Sequence, residues 1–141
     1  MQNMHKNLVT KVKNRMKLVQ TNKAPSAIGP YSQAVVANAI VYTSGQIALK
    51  SDGSDELLSE EVVVQAVQVL KNLEAVLVEA GSSLENVLKT TIFLTNMDDF
   101  TLVNEVYAEA FGSHKPARST VAVKTLPKNA LVEIDAVALI K

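Results

Sequence analysis

The sequence has no cysteine and no tryptophan, only two histidines, and single glycines at 29, 45, 53, 81 and 112. Without cysteine there is no disulfide, no thiolate nucleophile and no sulfur-ligated metal site. His5 and His114 are too few for a histidine-built centre, so a zinc enzyme is not expected and no metal is implied. Isolated glycines leave no phosphate-cradling loop, and no nucleotide cofactor is implied. No apolar run approaches the ~18 residues of a membrane span, so no membrane partner is expected. Basic residues form no stripe. Residues 1–17 hold Lys6, Lys11, Lys13, Arg15 and Lys17 and no acid, while the remainder has nine cations against fourteen acids. Such an acidic body is a poor nucleic-acid binder.

What is present argues for one domain. The chain has 141 residues, 48% hydrophobic and 20% charged, and a chain of this size buries about two-thirds of its unfolded surface. Residues 1–17 read as a basic extension, expected to be disordered; a polyanion-binding tail and an organellar presequence are the alternatives. Residues 18–141 read as the domain. No signal peptide is recognisable, which points to the cytoplasm, with a mitochondrial address as the alternative.

Leu18–Thr21 reads as a strand, and Tyr31–Ala37 and Ile40–Ser44 as a hairpin turning at Asn38-Ala39. Ser59 is placed to cap a helix that ends before Gly81. Its stripe is Val63, Val67, Leu70, Leu73, Leu77 and Ala80, widened by Val62, Val69 and Val76. Val87–Thr95 reads as a buried strand and Asp98–Phe111 as a second helix, with Phe100, Val103, Tyr107 and Phe111 on one face. Ser119–Thr125 and Ala130–Ile140 are the last strands, read as a C-terminal hairpin. The order βββ-α-β-α-ββ implies an α+β fold, one mixed sheet with both helices on one face. In the last strand Val132, Ile134, Ala136, Ala138 and Ile140 belong under the helices. The opposite row, Leu131, Glu133, Asp135, Val137 and Leu139, has no helix left to cover it, so a second copy of the chain is the simplest cover.

Few residues here could carry chemistry. Arg118 is the one arginine of the domain, among eight lysines. It suggests a fork for a carboxylate or phosphate, or an ordinary ion pair to Glu133 or Asp135. Glu133, in a largely apolar strand, is either a base that orients and deprotonates water or a counter-charge for Arg118 or a lysine. Ser44 and Gly45 end a strand with a hydroxyl and a close backbone approach. Tyr31, after Gly29-Pro30, can place its phenol at a cleft, and Asn104 lies beside the stripe of the second helix. A serine hydrolase is not expected, because His114 has no evident partner.

The segments Ala24-Pro25-Ser26-Ala27-Ile28-Gly29-Pro30-Tyr31-Ser32-Gln33-Ala34 and Thr43-Ser44-Gly45-Gln46-Ile47 resemble the Rid family of reactive intermediate deaminases. So do Val103-Asn104-Glu105-Val106-Tyr107, Lys115-Pro116-Ala117-Arg118-Ser119-Thr120 and Val132-Glu133-Ile134-Asp135-Ala136. The resemblance covers about Leu18 to Lys141. It implies a chorismate-mutase-like fold and a homotrimer with sheets facing inward and clefts between subunits. It also implies cofactor-free hydrolysis of 2-imino or enamine acids (2-aminoacrylate, 2-iminopropanoate, 2-iminobutanoate) to 2-keto acids and ammonia. Arg118 favours the RidA group within the family. By the resemblance, Arg118 holds the substrate carboxylate, Glu133 activates water, and the Thr120 backbone orients the imine and that water. Tyr31, Ser44, Gly45 and Asn104 line the cleft. Many relatives have cysteine at the position of Thr120, so thiol chemistry is excluded here. Two further readings remain open: an endoribonuclease or translation inhibitor, and a non-catalytic carboxylate-binding sensor or chaperone-like trimer.

Overall fold

The structure, a computed structural model, describes residues 15–141. Three strands open the fold as an antiparallel meander: β1 (Met16–Val19), β2 (Ala34–Ala37) and β3 (Ile40–Thr43). Asn38 and Ala39 both have positive φ, 51° and 64°, the backbone of a two-residue hairpin turn whose twist matches its strands. The first strand starts earlier than the sequence suggests. Met16 and Lys17, assigned to the extension, pair with Ala37 and Val36. Thr21 lies outside the ladder because the Gln33 side chain engages it instead, accepting from its N–H at 2.7 Å and donating to its carbonyl at 3.1 Å. Expectations for residues 1–14 lie outside the described residues.

Helix α1 (Val62–Glu79) follows. Ser59 Oγ accepts the Glu61 N–H at 3.0 Å just ahead of it, so the serine shapes the approach and Glu61 is the cap residue. The buried stripe centres on Val62, Ala66, Val69, Leu73 and Val76. Val63 and Val67 are exposed at its edge, so the stripe is rotated from the expected one toward Gln65, Ala66 and Asn72. Gly81 ends the helix at φ +89°, a backbone that side-chain-bearing residues disfavour.

β4 (Val87–Leu94), helix α2 (Phe100–Phe111) and β5 (Ala117–Ala122) form a crossover unit, with β5 parallel to β4. The final strand, β6 (Val132–Leu139), does not form a hairpin with β5. It inserts between β3 and β4, antiparallel to both, giving the order β1-β2-β3-β6-β4-β5. Burial explains the correction. Val132, Ile134, Ala136 and Ala138 are at most 2% exposed, so this strand needs neighbours on both sides, whereas β5 is largely exposed and suits an edge. The core lies between one sheet face and the two helices. No described helix is long and apolar enough to cross a membrane.

The other sheet face is open within one chain. Pairing aligns Leu18, Val35, Tyr42 and Val137 in one row and Met16, Ala37, Ile40 and Leu139 in the next. Leu18 is 68% exposed and Tyr42 49%. A continuous apolar surface of this kind marks an interaction face.

Candidate active site

The register divides the expected site residues between the two faces. On β4, Thr90, Ile92 and Leu94 point into the core. Arg118 pairs with Thr90 and Thr120 with Ile92, which sets both on the helix face of the edge strand. Glu133 pairs with Phe93 and Asp135 with Thr91, on the open face. One chain therefore does not bring Arg118 and Glu133 together, and neither Glu133 nor Asp135 is its ion partner. Among the described residues the only ion pair is Asp55 with Lys128, at 4.0 Å.

Arg118 lies against α2. Its Nη1 donates to Asn104 Oδ1 at 2.7 Å, which gives Asn104 a definite task. The guanidinium sits over the rings of Tyr107 and Phe100, 4.9 and 5.6 Å from their centroids, within cation–π range. A cleft of about 400 Å³ borders it, lined also by His114, Lys115 and Gly112. His114 does have a partner: its Nε2 lies 2.7 Å from the Val87 carbonyl, so that nitrogen carries the proton. Thr120 Oγ1 is buried and without a hydrogen-bond partner among the described residues. Burial raises the Tyr107 pKa against the opposing pull of its Thr90 hydrogen bond and of Arg118, so the phenol stays neutral.

Glu133 faces a second cleft, of about 310 Å³, with Tyr31, Gly45, Gln46, Ile28 and Lys128. A bulge builds it. Tyr42 pairs with Val137 and Gln46 with Ile134, which leaves Thr43-Ser44-Gly45 opposite only Asp135 and Ala136. Thr43 Oγ1 accepts the Ala136 N–H at 2.9 Å and patches the interrupted ladder. Gly45 then lies directly against Glu133, where a Cβ would stand 2.6 Å from Oε2. Ser44 holds the bulge: its Oγ donates to the Ser32 carbonyl at 2.6 Å and its N–H to Gln33 O at 2.9 Å. That hydroxyl is committed to structure. Tyr31 is 53% exposed, its ring against Gly29.

Glu133 is half-buried, and burial raises its pKa, with the charge of Asp135 adding to the effect. Asp135 is also raised by burial, against hydrogen bonds from Thr91 and the Lys89 charge. A carboxylate displaced toward neutrality suits a general base.

Several contributors were not singled out from sequence. Gln33 also donates to the Pro25 carbonyl at 2.7 Å and so fixes the loop that carries Tyr31. Lys128 reaches the Glu133 cleft because it and Asn129 have positive φ, 60° and 56°; the Asn after Pro127-Lys128 was the available signal. Phe100 and Tyr107 were read only as core.

Comparison with known proteins identifies the family. A family model described as endoribonuclease L-PSP matches residues 21–140. Human 2-iminobutanoate/2-iminopropanoate deaminase is 46% identical over 123 residues, 87% of this chain and 89% of its own. The YyfA protein of the conserved Rid family from Yersinia pestis has 48% identity and a TM-score of 0.86, over 89% of this chain and 99% of its own. Escherichia coli TdcF with bound serine has 41% identity and a TM-score of 0.83, over the same shares. Sequence, length and fold coincide across nearly the whole described chain, which therefore belongs to the Rid family.

Proposed function

We propose that this protein hydrolyses 2-imino acids and their enamine tautomers to 2-keto acids and ammonia, in clefts between copies of a homotrimer. The observation that carries the reading is Arg118: an exposed guanidinium, held by Asn104 and two rings, with no acid bonded to it among the described residues. Such a fork is free to take a carboxylate by two parallel hydrogen bonds. TdcF, with its bound serine, is a relative seen with a small amino acid, and the human relative is named for imine deamination.

The chemistry asks little of the protein. Tautomerisation of the enamine gives an imine, which is already electrophilic at C2. Arg118 fixes the carboxylate, and Glu133 takes a proton from water as its oxygen bonds to C2. The proton passes to nitrogen and gives a carbinolamine; Glu133 then takes the hydroxyl proton and returns it to nitrogen as the C=O bond forms and the C–N bond breaks, releasing ammonia and the 2-keto acid. The Thr120 backbone orients the imine nitrogen and the water, while Tyr31, Ser44, Gly45 and Asn104 shape the cleft. A general base contributes roughly 10²–10⁴-fold, and positioning supplies the rest.

Two features support assembly. The open apolar face offers a surface that a neighbouring copy can cover, and Arg118 at the sheet edge and Glu133 on the open face can meet only across copies. The test couples a dehydratase that generates 2-aminoacrylate to pyruvate detection. Wild type should accelerate pyruvate release and Arg118→Ala should not; equal rates would refute the reading. RNA cleavage lost in Arg118→Ala would instead favour the endoribonuclease description of the family model.

A further inference from the structure

Helix α2 is organised around Arg118, one of two arginines in the sequence. Phe100, Asn104 and Tyr107 stand at i, i+4 and i+7, a single stripe, and all three touch the guanidinium group. Tyr107 is itself fixed from two sides. Its hydroxyl lies 2.7 Å from Thr90 Oγ1 on β4, and its ring stands 4.5 Å from that of Phe111, tilted by 36°. Thr90 is also the cross-strand partner of Arg118. The circuit is therefore closed: the Arg118 backbone lies beside Thr90, Thr90 holds the phenol, and the phenol ring carries the head of Arg118.

We propose that Tyr107, anchored by Thr90, is a positioning residue that seats the Arg118 guanidinium, so that the edge left free by Asn104 is presented to a carboxylate in one fixed orientation. An arginine without such a seat loses rotamer freedom on binding, which weakens affinity. The neutral phenol supplies an aromatic face, not a counter-charge. The identity of the ligand rests on the proposed function; the seat itself does not.

The test uses the full chain labelled with ¹⁵N. Two arginine Nε–Hε signals are expected, and Arg118→Lys removes the one under study. In wild type that signal should be sharp and slow to exchange. Tyr107→Leu should broaden it and weaken pyruvate binding by about 3- to 30-fold, the range of a partly desolvated cation–π contact. Tyr107→Phe keeps the ring but loses the Thr90 anchor, so its signal and affinity should fall between those of wild type and Tyr107→Leu. Phe100→Leu, at a less buried ring, should give a smaller loss in the same direction and serves if Tyr107→Leu does not fold. An unchanged signal and affinity in a folded Tyr107→Leu protein overturn the proposal, as does a Phe variant as damaging as Leu. If wild type neither binds pyruvate nor hydrolyses the imine, the functional reading fails while the Arg118 signal still decides the seat.

Discussion

Replacing Gly45 by alanine isolates the position of Glu133 from everything else in the fold. The glycine is not in a left-handed backbone conformation, so alanine imposes no φ strain. What it adds is one methyl group, 2.6 Å from Glu133 Oε2, 2.7 Å from Cδ and 3.0 Å from Cγ. Ordinary contact begins near 3.4 Å, so the carboxylate must retreat by about 0.8 Å. The atoms displaced belong to a flexible, half-buried side chain, which turns aside more readily than backbone shifts. Stability should fall by about 1 kcal/mol or less. Catalysis should fall far more, because a misplacement near 1 Å costs on the order of 10²-fold. In the dehydratase-coupled assay kcat should drop about 10- to 100-fold with KM within about threefold, since Arg118 is untouched. A folded Gly45→Ala protein with wild-type kcat would refute the role given to Glu133.

Asp135→Asn removes the charge that helps raise Glu133. The base must be ionised to act, so the acid limb of kcat/KM is displaced upward in wild type and should move to lower pH in the variant; an unmoved limb would place the titrating base elsewhere. Val137→Asp puts a charge at the inner end of the open apolar row, beside Tyr42. Light scattering should show the assembly reduced to monomer and imine hydrolysis lost with it, whereas an active monomer would contradict a cleft shared between copies.

Much of this was legible because local signals and burial coincide. Alternation along Val132–Leu139 identified the core row, and Asn38-Ala39 placed the hairpin turn. The strand order was less legible: the short link Leu126–Asn129 suggested a hairpin, whereas the demand of β6 for two neighbours decided the topology. The stripe of α1 was rotated because valine at 63 and 67 is apolar without being buried. For the site, residue types carried Arg118 and Glu133. Their separation onto opposite faces depends on register across β4, which no local pattern encodes. The seat of Arg118 was hidden for a related reason, since Phe100 and Tyr107 serve both core and cation and periodicity reports only the first.

The central claim, that one copy contributes Arg118 and its neighbour Glu133, is tested most directly by complementation. Arg118→Ala and Glu133→Gln chains, each inactive alone, are unfolded, mixed in equal amounts and refolded together. In randomly mixed trimers about a quarter of the clefts regain both native residues, so about a quarter of wild-type deaminase activity should return. If the mixture stays as inactive as its components while sizing shows mixed assemblies, Arg118 and Glu133 of one cleft do not come from different copies and the account is wrong.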